Sequence, residues 1–407
     1  MTAKIRIHMS NPPGKRVTQV FLLTLLFVLQ PISAFADIVQ RRVSNDGRFV
    51  KLPQLLTYGR SGHNVELLND GRVLVAGGAW GDFGGENSSE VLKISDQRVR
   101  FAGQKMSTLR SAATHAKLSD GRILFMGGST DFETAISTTD IFDPTTNTFT
   151  PGSEMMKERS GHASVALPDG RILVFGGTDS NEPQDSVEIY DPLQGSFRLL
   201  DARLEIPRAN HTATLVNEHT VAIVGGETTP SESERESAAP FLGSIELFDV
   251  PSLQFSNVKL KMTAPRIYHT ATRLDARRVL IAGGLSDFVK GSNVVEVLDV
   301  VERSIARVGY TLRARSMHSL SLLQDGTFLV AGGVENGVPL ADSERCSFIT
   351  ADDVNCLSAA KMQRARWGHT ATPLSQGSLL FIGGLTNTPE IPGRSSGPMR
   401  GMEIYKP

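Results

Sequence analysis

Arg159–Gly177 reads RSGHASVALPDGRILVFGG. HASVAL alternates apolar and polar residues, the period of a half-buried strand. Asp169-Gly170 is a tight hairpin signal. The run ILVF that follows is continuous enough for a strand buried on both faces, and it ends on Gly176-Gly177.

The same pattern returns along the chain. Paired glycines stand at Gly77-Gly78, Gly127-Gly128, Gly176-Gly177, Gly225-Gly226, Gly283-Gly284, Gly332-Gly333 and Gly383-Gly384, spaced 50, 49, 49, 58, 49 and 51 residues apart. An arginine lies 17 positions before each first glycine: Arg60, Arg110, Arg159, Arg208, Arg266, Arg315 and Arg366. Three residues after the arginine comes His63, His162, His211, His269, His318 or His369, while the second copy has Ala113 there and His115 two residues on. A fixed period of this length marks a repeat architecture. It overrides the two or three domains that 407 residues would otherwise suggest.

Each period holds two more strand signals. A third strand reads SVEIYDP at Ser186–Pro192 or SIELFDV at Ser244–Val250, and a fourth carries one bulky residue, as at Phe101, Phe149, Phe197 and Phe255. Four antiparallel strands, repeated seven times, predict an all-β fold of blades around an axis. Here the chain resembles the kelch-repeat family, through its glycine pairs, its Glu-x-Tyr-Asp-Pro type third strand and its fourth-strand aromatic. The resemblance covers about Phe49–Tyr405, although Phe mostly replaces the family's Trp, and Ile305 and Val354 stand there in later copies. It implies a seven-bladed β-propeller. The last copy runs out after its third strand, MEIYKP, while RFVKLPQLL reads as a fourth strand ahead of the first arginine. Phe49–Leu56 is therefore expected to complete the last blade and close the ring, which removes an exposed sheet edge.

Residues 1–36 read as a signal peptide: Lys4, Arg6, Lys15 and Arg16, then an apolar run Val20–Leu29, then Ala34-Phe35-Ala36. The run is too short to span a bilayer, so no transmembrane segment is expected in the mature chain. Residues 37–48 are a lead-in and 49–407 the propeller. The implied location is exported, periplasmic or secreted. Removing four basic residues from 42, against 43 acids, leaves the mature chain near a net charge of −5. That disfavours a nucleic acid or an anionic membrane as partner. Cys346 and Cys356 flank a short hairpin, and an exported chain would join them in a disulfide.

The arginines and histidines offer a basic rim for an anionic ligand, but residues present in every copy serve the repeat itself. Asp131, Asp179, Glu227, Asp287 and Glu335, just after the glycine pairs, are the expected partners of the arginines. Tyr268-His269 resembles the Tyr-His pair that binds copper in the galactose oxidase family. The remainder of that site is missing, so no cofactor and no metal is expected. Two long insertions, ETTPSESERESAAPFLG after Gly226 and LTNTPEIPGRSSGPMRG after Gly384, project from one end of the ring. Their composition predicts mobility. Residues that break the repeat near this end are Trp80, Asp82, Phe83, Tyr268, Trp367, Arg394 and Arg400. Aromatics beside charges suit a sugar or peptide. The leading expectation is a monomeric, non-catalytic binding protein for a protein or glycan. A carbohydrate-acting enzyme such as a sugar mutarotase is the alternative, and an assembly scaffold the third reading.

Overall fold

The third copy shows how the pattern becomes structure. Ala163–Ala166, Ile172–Phe175, Ser186–Asp191 and Ser196–Arg203 form one antiparallel sheet in chain order. Leu173 lies opposite both Val165 and Ile189. The computed structural model describes residues 47–79, 84–94, 98–101, 105–131, 133–229, 240–288, 290–387 and 397–407. Residues 1–46, which hold the expected signal peptide and nearly all of the expected lead-in, lie outside them. Among the described residues no helix is long and apolar enough to cross a membrane.

The same four-strand order recurs from copy to copy. The fourth copy splits its last strand into Gln254–Phe255 and Leu260–Lys261. The fifth and sixth copies form a single eight-stranded sheet, joined only where Gly309 meets Val354. A Cβ on Gly309 would stand 2.7 Å from the Val354 carbonyl oxygen, so only glycine permits that approach. The last set is Thr370–Pro373, Leu379–Ile382, Gly401–Lys406 and, from the other end of the chain, Arg48–Leu55. Phe49 sits opposite Tyr405 and packs on Phe381. The expected closure by the opening strand is the observed pairing.

The second strand is buried throughout in five sets and, in Thr220–Val224 and Arg278–Ala282, at all but its first residue, which explains its apolar run. Its side chains fill the space between neighbouring sheets. Leu173 and Phe175 of one sheet share a cluster with Val221, Ile223 and Phe248 of the next. Each such side chain contributes roughly 1.5–3 kcal/mol on burial.

The glycine pairs are where sheets touch. Gly176 and Gly177 have φ of 55° and 94°. A Cβ on Gly176 would lie 2.5 Å from the Arg208 carbonyl oxygen of the following sheet. The second glycine's N–H donates to the next copy's arginine carbonyl at all seven seams, from Gly78 to Arg110 (2.9 Å) through to Gly384 to Arg60 (2.8 Å). The last of these bonds closes the circle. The chain is a β-propeller.

Candidate functional site: the axial mouth

The repeat arginines are interior residues. Arg159 donates through one guanidinium nitrogen to the Gly176 and Ser186 carbonyls, and through the other to Ser186 Oγ and Glu188 (2.7 Å). The other six repeat this arrangement with Glu90, Asp140, Glu246, Glu296, Glu344 and Glu403, each pair essentially without solvent. The acids also accept backbone N–H groups from the loop ahead of each arginine, as Glu188 does from Met156 and Lys157. These pairs therefore fix that loop as well as the blade.

This corrects the expected partners. Asp131 and Asp179 cap their own turns, Glu227 accepts from Asn210, and Glu335 pairs with Arg313. Those acids lie in loops beyond the sheet, whereas the acid of SVEIYD projects from the third strand onto the guanidinium. An acid inside an otherwise apolar strand, recurring in all seven copies, was the legible signal.

The histidines serve the seams. His162 Nε2 is hydrogen-bonded to Thr114 Oγ1 of the preceding sheet (2.8 Å), and His269, His318, His369 and His63 bond Thr212, Thr270, Ser319 and Thr370 likewise. Burial, with the neighbouring arginine charge, pushes His63, His162, His269 and His318 down to about 3. They are neutral and outside any basic rim. Two seams depart from this scheme. For His211 the position equivalent to Thr114 in the preceding sheet is Ala163, which has no hydroxyl, and both ring nitrogens of His211 lack partners. Where Ala113 replaces histidine, His115 Nδ1 bonds Asn64 (2.9 Å) and Nε2 lies 3.3 Å from Glu66, which also holds Lys117.

One residue before each histidine position the chain turns left-handed. Gly62, Ala112, Gly161, Asn210, Tyr268, Met317 and Gly368 have φ of 49–61°. Their backbones reach from sheet to sheet: Ala112 N–H donates to Gly62, Gly161 to Ala112, Asn210 to Gly161, Met317 to Tyr268 and Gly368 to Met317, at 2.8–3.3 Å. This necklace rims the axis at the arginine end. Holding a tyrosine or methionine in that conformation costs on the order of 1–3 kcal/mol and persists only where surrounding structure enforces it.

Residues that break the symmetry fall on successive copies at this end, the fourth to the seventh. Asn210 Nδ2 donates to Glu227 Oε1 (2.5 Å). Tyr268 is half-buried, and burial with the nearby Glu227 charge pushes its phenol upward. Met317 follows, then Trp367, half-buried and bridged by its backbone to Leu385. Across the axis stand Gly62, Ala112 and Gly161. Of the residues singled out in the sequence, Tyr268 and Trp367 lie here. Arg400 Nε donates to the Leu56 carbonyl (2.6 Å), where the opening strand meets the last sheet. Trp80, Asp82, Phe83 and Arg394 fall outside the described residues. Asn210, Glu227 and Met317 were missed. Their signal was a departure from Gly or Ala at the necklace position or just after a glycine pair.

Residues 59–295, more than half of the chain, match the sequence model of the family described as Attractin/LZTR1 beta-propeller. The chain belongs to that family. No curated protein matches it. Among solved structures, this Attractin/LZTR1-type propeller is similar to a "Novel fungal alcohol oxidase with catalytic diversity among the AA5 family, in complex with copper". The TM-score is 0.68 at 16% identity, over 88% of this chain and 75% of that one, a likeness of fold alone.

The residues here do not fit a copper centre. His269 is buried in the seam with Nε2 bonded to Thr212 Oγ1 (3.0 Å). Cys346 and Cys356 face each other across paired strands and form a disulfide. The metal-capable trio among the described residues, Glu344 with those two cysteines, has its sulfurs in that bond and its carboxylate on Arg315.

Proposed function

We propose that this propeller is an exported, non-catalytic binding protein that receives a protein or glycan ligand at its axial mouth. One observation carries the reading. Every repeat arginine is consumed inside a blade, while Asn210, Glu227 and Tyr268 lie together where the repeat is broken, with Met317 and Trp367 at the arginine end of the next two copies. An aromatic ring beside a carboxylate and an amide, opposite a floor of glycine and alanine, suits a ring-bearing or hydroxyl-bearing ligand. The loops around it rest on a scaffold closed through seven backbone seams.

The test is a glycan array and a protein capture screen with mature protein, residues 37–407, beside Tyr268→Ala and Trp367→Ala. Binding that both substitutions weaken about tenfold or more supports the mouth. Turnover of a bound sugar would replace this reading with the carbohydrate-acting enzyme. Binding indifferent to both substitutions would favour a scaffold gripped through its sides.

A further inference from the structure

Asp131 and Asp179, expected to neutralise arginines, instead cap exposed turns of the second and third sheets, at the end of the molecule that also exposes apolar groups. We propose that the arginine-end loops of these two sheets form a docking surface for a cationic, amphipathic segment of another protein.

The charge is predominantly negative. Among the described residues Asp131 and Glu133, Glu154 and Glu158, Asp179 and Glu182 stand in these loops against Lys105 and Lys157; Asp185 is set aside because it lies 3.8 Å from Arg203. The loops of the same two sheets also expose two large apolar side chains, Leu109 (42% exposed) and Met156 (56% exposed), each just ahead of a buried arginine. Neither the blade core nor any seam uses them. Apolar anchors on loops rich in acids complement lysines and arginines interleaved with leucines.

The surface is also rigid. Asp131 accepts from the Thr134 N–H (2.7 Å) and hydroxyl (3.0 Å), and Asp179 from the N–H groups of Asn181 and Glu182. Neighbouring loops are fastened together, with the Gly85 N–H on the Thr130 carbonyl (2.6 Å) and the Ala135 N–H on Ser180 Oγ (2.9 Å). A platform ordered before the partner arrives loses little entropy on binding.

This inference rests on the binding-protein reading but uses a different sector from the mouth. The experiment titrates mature protein with a fluorescent Lys/Leu amphipathic peptide, a matched Glu/Leu peptide and an oligolysine. The Lys/Leu peptide should bind best and weaken with salt. Glu133→Lys with Glu182→Lys, and separately Met156→Asp, should each weaken it about tenfold or more at unchanged melting temperature. Asp352→Lys with Asp353→Lys, on a turn at the opposite end, should leave it intact. Equal binding of the Glu/Leu peptide or of oligolysine, or full affinity in Glu133→Lys/Glu182→Lys, would overturn the proposal. Tyr268→Ala and Trp367→Ala should not affect this peptide, so either site can fail while the other stands.

Discussion

Arg159 and Glu188 meet at 2.7 Å with neither side chain reaching solvent, and Glu188 in turn holds the backbone N–H groups of Met156 and Lys157. Truncating one partner strands the other as a buried, unpaired charge. Arg159→Ala should therefore cost about 3–5 kcal/mol. Thermal or urea unfolding of the variant measures it, and an unchanged midpoint would contradict an interior role for the pair.

His211 is the seam histidine for which the preceding sheet carries alanine, Ala163, at the hydroxyl position. Ala163→Ser places a hydroxyl where Thr114, Thr212 and Thr370 carry one in other sheets. One recovered buried hydrogen bond is worth about 1 kcal/mol. The variant should unfold at a higher temperature than the parent, and a lower midpoint would mean that the seam has no room for the hydroxyl.

The seam histidines make the ring sensitive to acid. Their folded values of about 3 lie below the unfolded value near 6.5. The unfolded chain thus binds protons that the folded chain refuses. Stability is full above about pH 6.5 and drains as pH falls toward 3, by up to about 1.4 kcal/mol per histidine per pH unit. Melting temperatures from pH 7 to pH 4 should fall with increasing slope, and a flat profile would sink the assignment of neutral buried imidazoles.

Cys346 and Cys356 close a loop of 10 residues within one hairpin. Replacing both by serine should lower stability by about 2–3 kcal/mol while leaving the ring closed. Circular dichroism of the double variant should keep its β signature at 25 °C. Global loss of structure would show that the bond does more than clasp its hairpin.

Removing residues 37–55 deletes the outer strand opposite Gly401–Lys406. Phe49, wedged between Phe381 and Tyr405, goes with it. The truncated chain should aggregate or unfold, and adding Arg48–Leu55 back as a peptide should restore soluble protein. A stable, soluble truncation would show that ring closure does not depend on this strand.

Strand order and ring closure were legible in the sequence, because alternation, Asp-Gly turns and glycine pairs are local patterns that repeat. The match of Phe49 to the last copy could be read from the fourth strand that copy lacks. The partner of Arg159 could have been read too, had the acid inside each apolar third strand been weighed above the nearer acids after the glycines. Other relationships could not be read from the chain. That both ring nitrogens of His211 lack partners, that Arg400 is drawn to Leu56, and that Asn210, Glu227 and Tyr268 lie together all depend on how successive sheets meet. Local pattern decides which face a side chain takes within its own sheet. Only the closed ring fixes the angle between sheets, and with it which side chains from distant copies come within bonding distance.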